Sequence, residues 1–285
     1  MFTFLPITLL LYYVSPRVLK NSILLLASLI FYAWGEPIYV FLMIGTILID
    51  YLLAILIDRN RDDYSKCKWI FILTIILNVS ILGFFKYFGF FVNNINSIFN
   101  LNIPFDGLAL PIGISFYTFQ VLSYIVDVYL GKVEVQYNLI NFATYVTMFP
   151  QLVAGPIVQY QTIEEQLNTR QESVFKFGEG VERFIQGLGK KILLANNIGM
   201  LWTTISSLEL SSISVLTAWL GIIAYTFQIY FDFSAYSDMA IGLGKMFGFE
   251  FMENFNYPYI SKSVTEFWRR WHISLGTWFR EYIYI

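Results

Sequence analysis

The chain carries one histidine, His272, in the segment SKSVTEFWRRWHISLGTWFREYIYI at residues 261–285. An imidazole accepts and returns a proton near neutral pH, and partial burial or the adjacent Arg269 and Arg270 would adjust its pKa. From the residue alone two roles stay open, proton transfer at a site or an interfacial ring that only packs and hydrogen-bonds. A second concentration of chemistry lies in the run YTFQIYFDFSAYSD at 225–238. On a helix Ser234 and Asp238 share a face, as do Gln228 and Asp232. Such a strip of carboxylates, hydroxyls and rings suits the lining of a polar cavity, in an enzyme or equally in a transporter.

The scarcity of other reactive residues removes several chemistries. A single cysteine, Cys67, forms no intrachain disulfide and no thiolate metal site, and a single histidine excludes every two-histidine zinc arrangement. No GxSxG elbow accompanies His272. No metal and no bound organic cofactor is expected. With 18 Lys+Arg against 20 Asp+Glu the formal net charge is −2, so there is no basic field to hold nucleic acid.

The elements that must position these residues belong in lipid. The composition is 57% hydrophobic and only 13% charged, where a soluble domain has about 25% charged residues. Apolar runs fall at about 2–14, 22–34, 37–57, 69–92, 108–130, 139–158, 192–205 and 213–232, which predicts an all-α, polytopic transmembrane bundle with seven or eight membrane-embedded segments. Asp50 and Asp127 sit inside otherwise ordinary spans, where pairing within the bundle would offset the cost of a charge in hydrocarbon.

Basic residues set the orientation. With the amino terminus outside, Arg17 and Lys20, then Arg59, Arg61, Lys66 and Lys68, fall in cytoplasmic loops. The alternation continues only if 139–158 dips in and returns, and Phe149-Pro150-Gln151 and Gly155-Pro156 interrupt that run as re-entrant backbone would. On this arrangement 17 of the 18 basic residues are cytoplasmic, Lys86 being the exception. The polar stretch 159–191 then reads as a solvated cytoplasmic loop with an amphipathic helix.

At the carboxyl end, Ser263 and Glu266 form an S-x-x-E capping box. Counting about 100° per residue from Val264, Phe267, Trp268, Trp271, Leu275, Trp278, Phe279 and Tyr282 fall within an arc of about 120°. The pattern predicts one amphipathic helix along the cytoplasmic interface, with His272 at about 80°, just off the apolar stripe.

Five blocks carry a family resemblance: LPIGISFYTFQ, MFPQLVAGPI, YFDFSAYSDMAIGLGKMFGF, NFNYPYISKSVTEFW and FWRRWHISLGTWFREYIYI, in that order over residues 110–285. Together they resemble the membrane-bound O-acyltransferase family, and within it the bacterial alginate O-acetylation branch more than the branch that D-alanylates teichoic acid. The resemblance implies a single integral-membrane domain over 1–285 in the bacterial cytoplasmic membrane. It implies transfer of an acyl group, commonly acetyl, from a cytoplasmic donor such as acetyl-CoA or another acyl thioester to hydroxyls of an exported polysaccharide. An extracytoplasmic acetyl-transfer partner protein would complete delivery. The site residue it implies is His272; Asp232, Ser234, Asp238, Trp268, Arg269 and Trp271 are the cavity or substrate candidates among the residues around it.

The family pattern has a second histidine, usually regarded as the catalytic base, in a Leu-Trp-His sequence that this chain does not contain. By that comparison the chain is the amino-terminal part of a longer enzyme and His272 has a supporting role. The competing expectations are a polytopic transporter built on Asp232 and Asp238, or a non-catalytic scaffold.

Overall fold

The computed structural model describes residues 3–284 except 106, 108, 154 and 210–212, and among the described residues it holds helices, turns and extended connections with no β-strand. Helix α1 (Phe4–Val14) is apolar but has only 11 residues. It is followed by α2 (Arg17–Gly35), α3 (Tyr39–Arg59) and α4 (Tyr64–Phe99). After these come α5 (Ile114–Tyr129), α6 (Leu139–Thr147), α7 (Tyr160–Thr169), α8 (Val174–Gly189), α9 (Asn196–Ser206) and α10 (Val215–Met246). Two short helices follow, α11 (Val264–Arg270) and α12 (Ile273–Phe279), and α12 runs on into a π-helical turn, Arg280–Tyr284. A π-helical turn, Lys190–Ala195, joins α8 to α9 without a break.

Four of these helices, α2, α3, α4 and α10, are long and apolar enough to cross a membrane. Their side chains explain why they need one: Val18, Trp34, Phe41, Leu216 and many other large apolar groups face outward, with Trp34 91% exposed. Water would not tolerate so continuous an apolar surface, and lipid favours it. The protein is therefore an α-helical membrane protein. Polar side chains start several helices: Asp63 accepts from the Lys66 amide, Asn138 from those of Ile140 and Asn141, Ser173 from Lys176 and Ser214 from Thr217.

The chain divides into two compact units, Met1–Val153 with Gln159–Leu167, and Ala154–Val158 with Asn168–Ile285. In the first, α5 is walled by protein rather than lipid, with Tyr117, Gln120, Tyr124, Ile125 and Asp127 all buried. The buried carboxylates find partners there, Asp50 accepting from Asn78 Nδ2 at 2.7 Å and Asp127 lying 3.9 Å from Lys132 Nζ. The LPIGISF block owes its glycine to geometry: Gly113 has φ +75°, and a Cβ there would sit 2.6 Å from the Leu152 carbonyl oxygen.

In the second unit α8 and α10 touch backbone to backbone. A Cβ on Gly180 would lie 2.6 Å from the Gly242 carbonyl, and one on Gly187 would lie 2.7 Å from that of Ala235. Each pair is spaced by seven residues, two helical turns, so one stripe on each helix makes the contact. At 32 residues α10 is about 48 Å long, against about 30 Å of hydrocarbon. Its carboxyl half can thus carry ion pairs without placing them all in lipid.

The break expected within the run 139–158 is present: α6 ends after nine residues at Thr147, and turns follow through Pro150. One expectation from the sequence changes, because the carboxyl-terminal segment is not one amphipathic helix. It stops at Arg270, reverses at His272 with φ +44°, and restarts at Ile273. A wheel drawn through 264–282 therefore superimposes two helices with different axes. The capping box is half as expected, because Ser263 Oγ accepts from the Glu266 amide while Glu266 reaches the amide of Lys262 rather than that of Ser263.

Candidate functional site

The break at His272 is held open by its neighbours in the extended stretch before Pro258. The Asn256 amide donates to the Arg270 carbonyl at 2.9 Å, and the Ile273 amide donates to the Asn254 carbonyl at 2.9 Å. These bonds clamp the chain on both sides of His272, whose φ is left-handed. For a non-glycine residue that conformation costs about 1–3 kcal/mol, an expense found where a side chain must be aimed. Here it carries the imidazole inward, leaving His272 8% exposed.

Around the ring the contacts are polar on one edge and aromatic elsewhere. His272 Nδ1 lies 3.0 Å from Asn254 Oδ1, which also receives the Ser274 hydroxyl at 2.9 Å and the Ser274 amide at 3.2 Å. Asn254 Nδ2 donates to Ser237 Oγ on α10 at 3.0 Å, and Ser274 Oγ accepts from the Ile157 amide at 3.0 Å. Phe233 meets the imidazole edge to face at 4.7 Å between centroids. Phe255 packs against Trp271 at 5.1 Å, and Trp271 stacks on Phe267 at 5.6 Å. Burial in this setting pushes the His272 imidazole down to about 4, so the ring is neutral at physiological pH.

The other sequence candidates are distributed differently. Asp238 is buried on α10 and closed off by cations, with Arg183 Nε at 2.8 Å and Lys190 Nζ at 2.5 Å. Arg183 continues to Glu253. Asp232 pairs with Lys191 and lines a cleft of about 670 Å³ with Asn196, Gly199, Thr203 and Gln228. Ser234 is buried beside Phe233, with its hydroxyl unpartnered among the described residues. Trp271 belongs to the aromatic wall of His272, whereas Trp268 is 59% exposed and Arg269 also faces outward. The structure thus joins Trp271 to His272 and does not bring Asp232 or Asp238 into hydrogen-bonding contact with the ring. Glu266, on α11, is held below the usual carboxylate range mainly by the Lys262 amide.

Sequence reasoning missed Asn254, Ser237 and Ser274. The available signal was an asparagine in the aromatic, non-helical run ENFNYPY, where a fully buried amide needs partners.

The profile of the family described as MBOAT, membrane-bound O-acyltransferase family, matches residues 131–285, the part that holds the whole of this site. The chain belongs to the membrane-bound O-acyltransferase family. Along its entire length this acyltransferase-family chain is 47% identical to a protein of Pseudomonas aeruginosa named probable alginate O-acetylase, of which it covers 55%. It is 35% identical to the peptidoglycan O-acetyltransferase of Helicobacter pylori, again over the whole chain and 60% of that protein. Over 64% of the chain it is 31% identical to the teichoic acid D-alanyltransferase of Bacillus subtilis, matching 47% of that protein. The chain thus spans little more than half the length of the O-acetylating relatives.

Proposed function

We propose that the protein containing this chain is a multi-pass O-acetyltransferase of the bacterial cytoplasmic membrane. It takes acetyl from a cytoplasmic thioester such as acetyl-CoA and esterifies hydroxyls of an exported, alginate-like polysaccharide, with an extracytoplasmic partner protein completing delivery. The observation that carries this reading is the likeness, along the whole chain, to proteins named for alginate and peptidoglycan O-acetylation.

The geometry suits the chemistry. A sugar oxygen attacks the thioester carbonyl, the C–S bond breaks, and the hydroxyl proton ends on the departing thiolate. A neutral imidazole can accept the hydrogen bond of the hydroxyl and orient it. By the family pattern the base that removes the proton is a second histidine outside these residues, and His272 supports it. The wall of Phe233, Phe255 and Trp271 excludes water that would hydrolyse the donor. The transporter reading was built on Asp232 and Asp238 as the lining of one polar cavity, and each is paired with its own cations.

Deleting the gene tests the reading. Ester-linked acetate, read by proton NMR of the exported polysaccharide, should vanish and return with the full-length gene. Unchanged acetylation with reduced export would replace the enzyme by a transporter. Orientation is tested separately at Glu165, which is exposed on α7. In a variant with Cys67 replaced by serine, a Glu165→Cys thiol should react with an impermeant maleimide only after the cells are opened. Labelling of intact cells would overturn the re-entrant arrangement of 139–158.

A further inference from the structure

The atoms meeting Asn254 decide which nitrogen of His272 carries its proton. One of them is the backbone N–H of Ser274, which can only donate, so the Asn254 atom it meets at 3.2 Å is the carbonyl oxygen and not the amide nitrogen. The amide nitrogen then faces Ser237 Oγ, where it donates at 3.0 Å. A carbonyl oxygen only accepts, and His272 Nδ1 lies 3.0 Å from it, so Nδ1 must supply a hydrogen. The alternative partner is Ser274 Oγ, which is farther from Nδ1, at 3.5 Å. Its single hydrogen is already directed to Asn254 Oδ1 at 2.9 Å. A neutral imidazole has one N–H, which leaves the lone pair on Nε2.

We propose that Asn254 is a positioning residue that holds His272 in the Nδ1–H tautomer and so presents Nε2 as the basic, hydrogen-bond-accepting nitrogen of the site. The consequence for acetyl transfer rests on the function proposed above, while the tautomer stands without it. The residue type fits the task. Asn254 is 0% exposed, and a carboxylate so deeply buried would carry a desolvation cost and draw a second proton onto the imidazole. An amide accepts from Nδ1 while leaving the ring neutral, which agrees with the low proton affinity that burial imposes. The extended backbone around Asn254 makes the arrangement rigid, because its carbonyl also anchors Ile273, the residue after the ring.

In the full-length protein labelled with ¹³C,¹⁵N-histidine and purified without a polyhistidine tag, the His272 imidazole is identified as the signals missing from a His272→Gln variant. In lipid bilayers at neutral pH, nitrogen–carbon correlation spectra should show a protonated nitrogen bonded to Cγ, which is Nδ1, and an unprotonated one bonded to Cδ2, which is Nε2. A proton on Nε2 would overturn the proposal. In Asn254→Leu the Nδ1–H signal should be lost, and a folded variant that keeps it would show that Asn254 does not set the tautomer. In Ser274→Ala the Nδ1–H signal should persist; its loss would assign the role to Ser274 instead. Should the leucine variant fail to fold, the unsubstituted chain and Ser274→Ala still decide. None of these measurements depends on acetyltransferase activity, so the tautomer and the proposed function fail separately.

Discussion

In the full-length protein, His272→Ala is expected to lower acetyl transfer by about 10²-fold or more, the scale on which one positioned acid–base or hydrogen-bonding group contributes. Protein abundance in the membrane should change little by comparison, since the ring is one residue at the junction of α11 and α12. Ester-linked acetate on the exported glycan measures the first quantity and immunoblotting of membranes the second. Near-normal acetylation in this variant would remove His272 from the site. The same residue couples stability to pH. Burial lowers its pKa from 6.5 in the unfolded chain to about 4 in the folded one. The unfolded state therefore binds the extra proton between those values. Stability from this group is fully present above pH 6.5 and falls as the pH drops toward 4, by up to about 3 kcal/mol. In His272→Ala that part of the acid sensitivity should disappear from thermal melts in detergent.

Gly180→Val is expected to abolish folding of the second unit. A Cβ at this position would stand 2.6 Å from the Gly242 carbonyl oxygen and 2.9 Å from the Met246 amide nitrogen, both backbone atoms of α10. Neither can step aside without moving the helix, so α8 and α10 must separate. Separation pulls Arg183 and Lys190 away from the buried Asp238 and leaves a charge without its partners. Overpacking costs about 1–3 kcal/mol and an unpaired buried charge about 3–5 kcal/mol, which together approach the whole stability of an ordinary domain. The measurement is the monodisperse fraction after detergent extraction. Gly178→Val, two residues away, is the control, because a Cβ there meets nothing within 4 Å. Equal behaviour of the two variants would show that the helices are not in backbone contact.

Much of this protein was open to a reader of its residues. Apolar runs of membrane length, few charges and proline or glycine interruptions report on lipid directly, and they predicted the helices that became α2, α3, α4 and α10. The break after Thr147 was marked by Phe149-Pro150. The blocks from LPIGISF to RRWH pointed to the acyltransferase family. The long polar strip of α10 was less informative. Asp232 and Asp238 looked like one lining of one cavity, but a helix turns by about 100° per residue, and their separation of six positions left each free to find a different partner. Those partners, Lys191 for one and Arg183 with Lys190 for the other, come from α8 and the π-helical turn after it. Nothing local to α10 announces them.

Local sequence settled what is local or compositional: the solvent this chain requires, where its helices begin, and which histidine is present. The surroundings of that histidine came from residues distant along the chain. Asn254 and Asn256, 18 and 16 residues before His272, hold the bend by one backbone hydrogen bond each, on either side of the ring, and the Asn254 side chain takes its Nδ1. A helical period carried through 264–282 fails there because the periodicity assumes an unbroken axis. Tertiary hydrogen bonds stabilise a left-handed residue that local propensity disfavours. The helices were therefore readable from their residues, while the direction in which the imidazole points was decided by the fold.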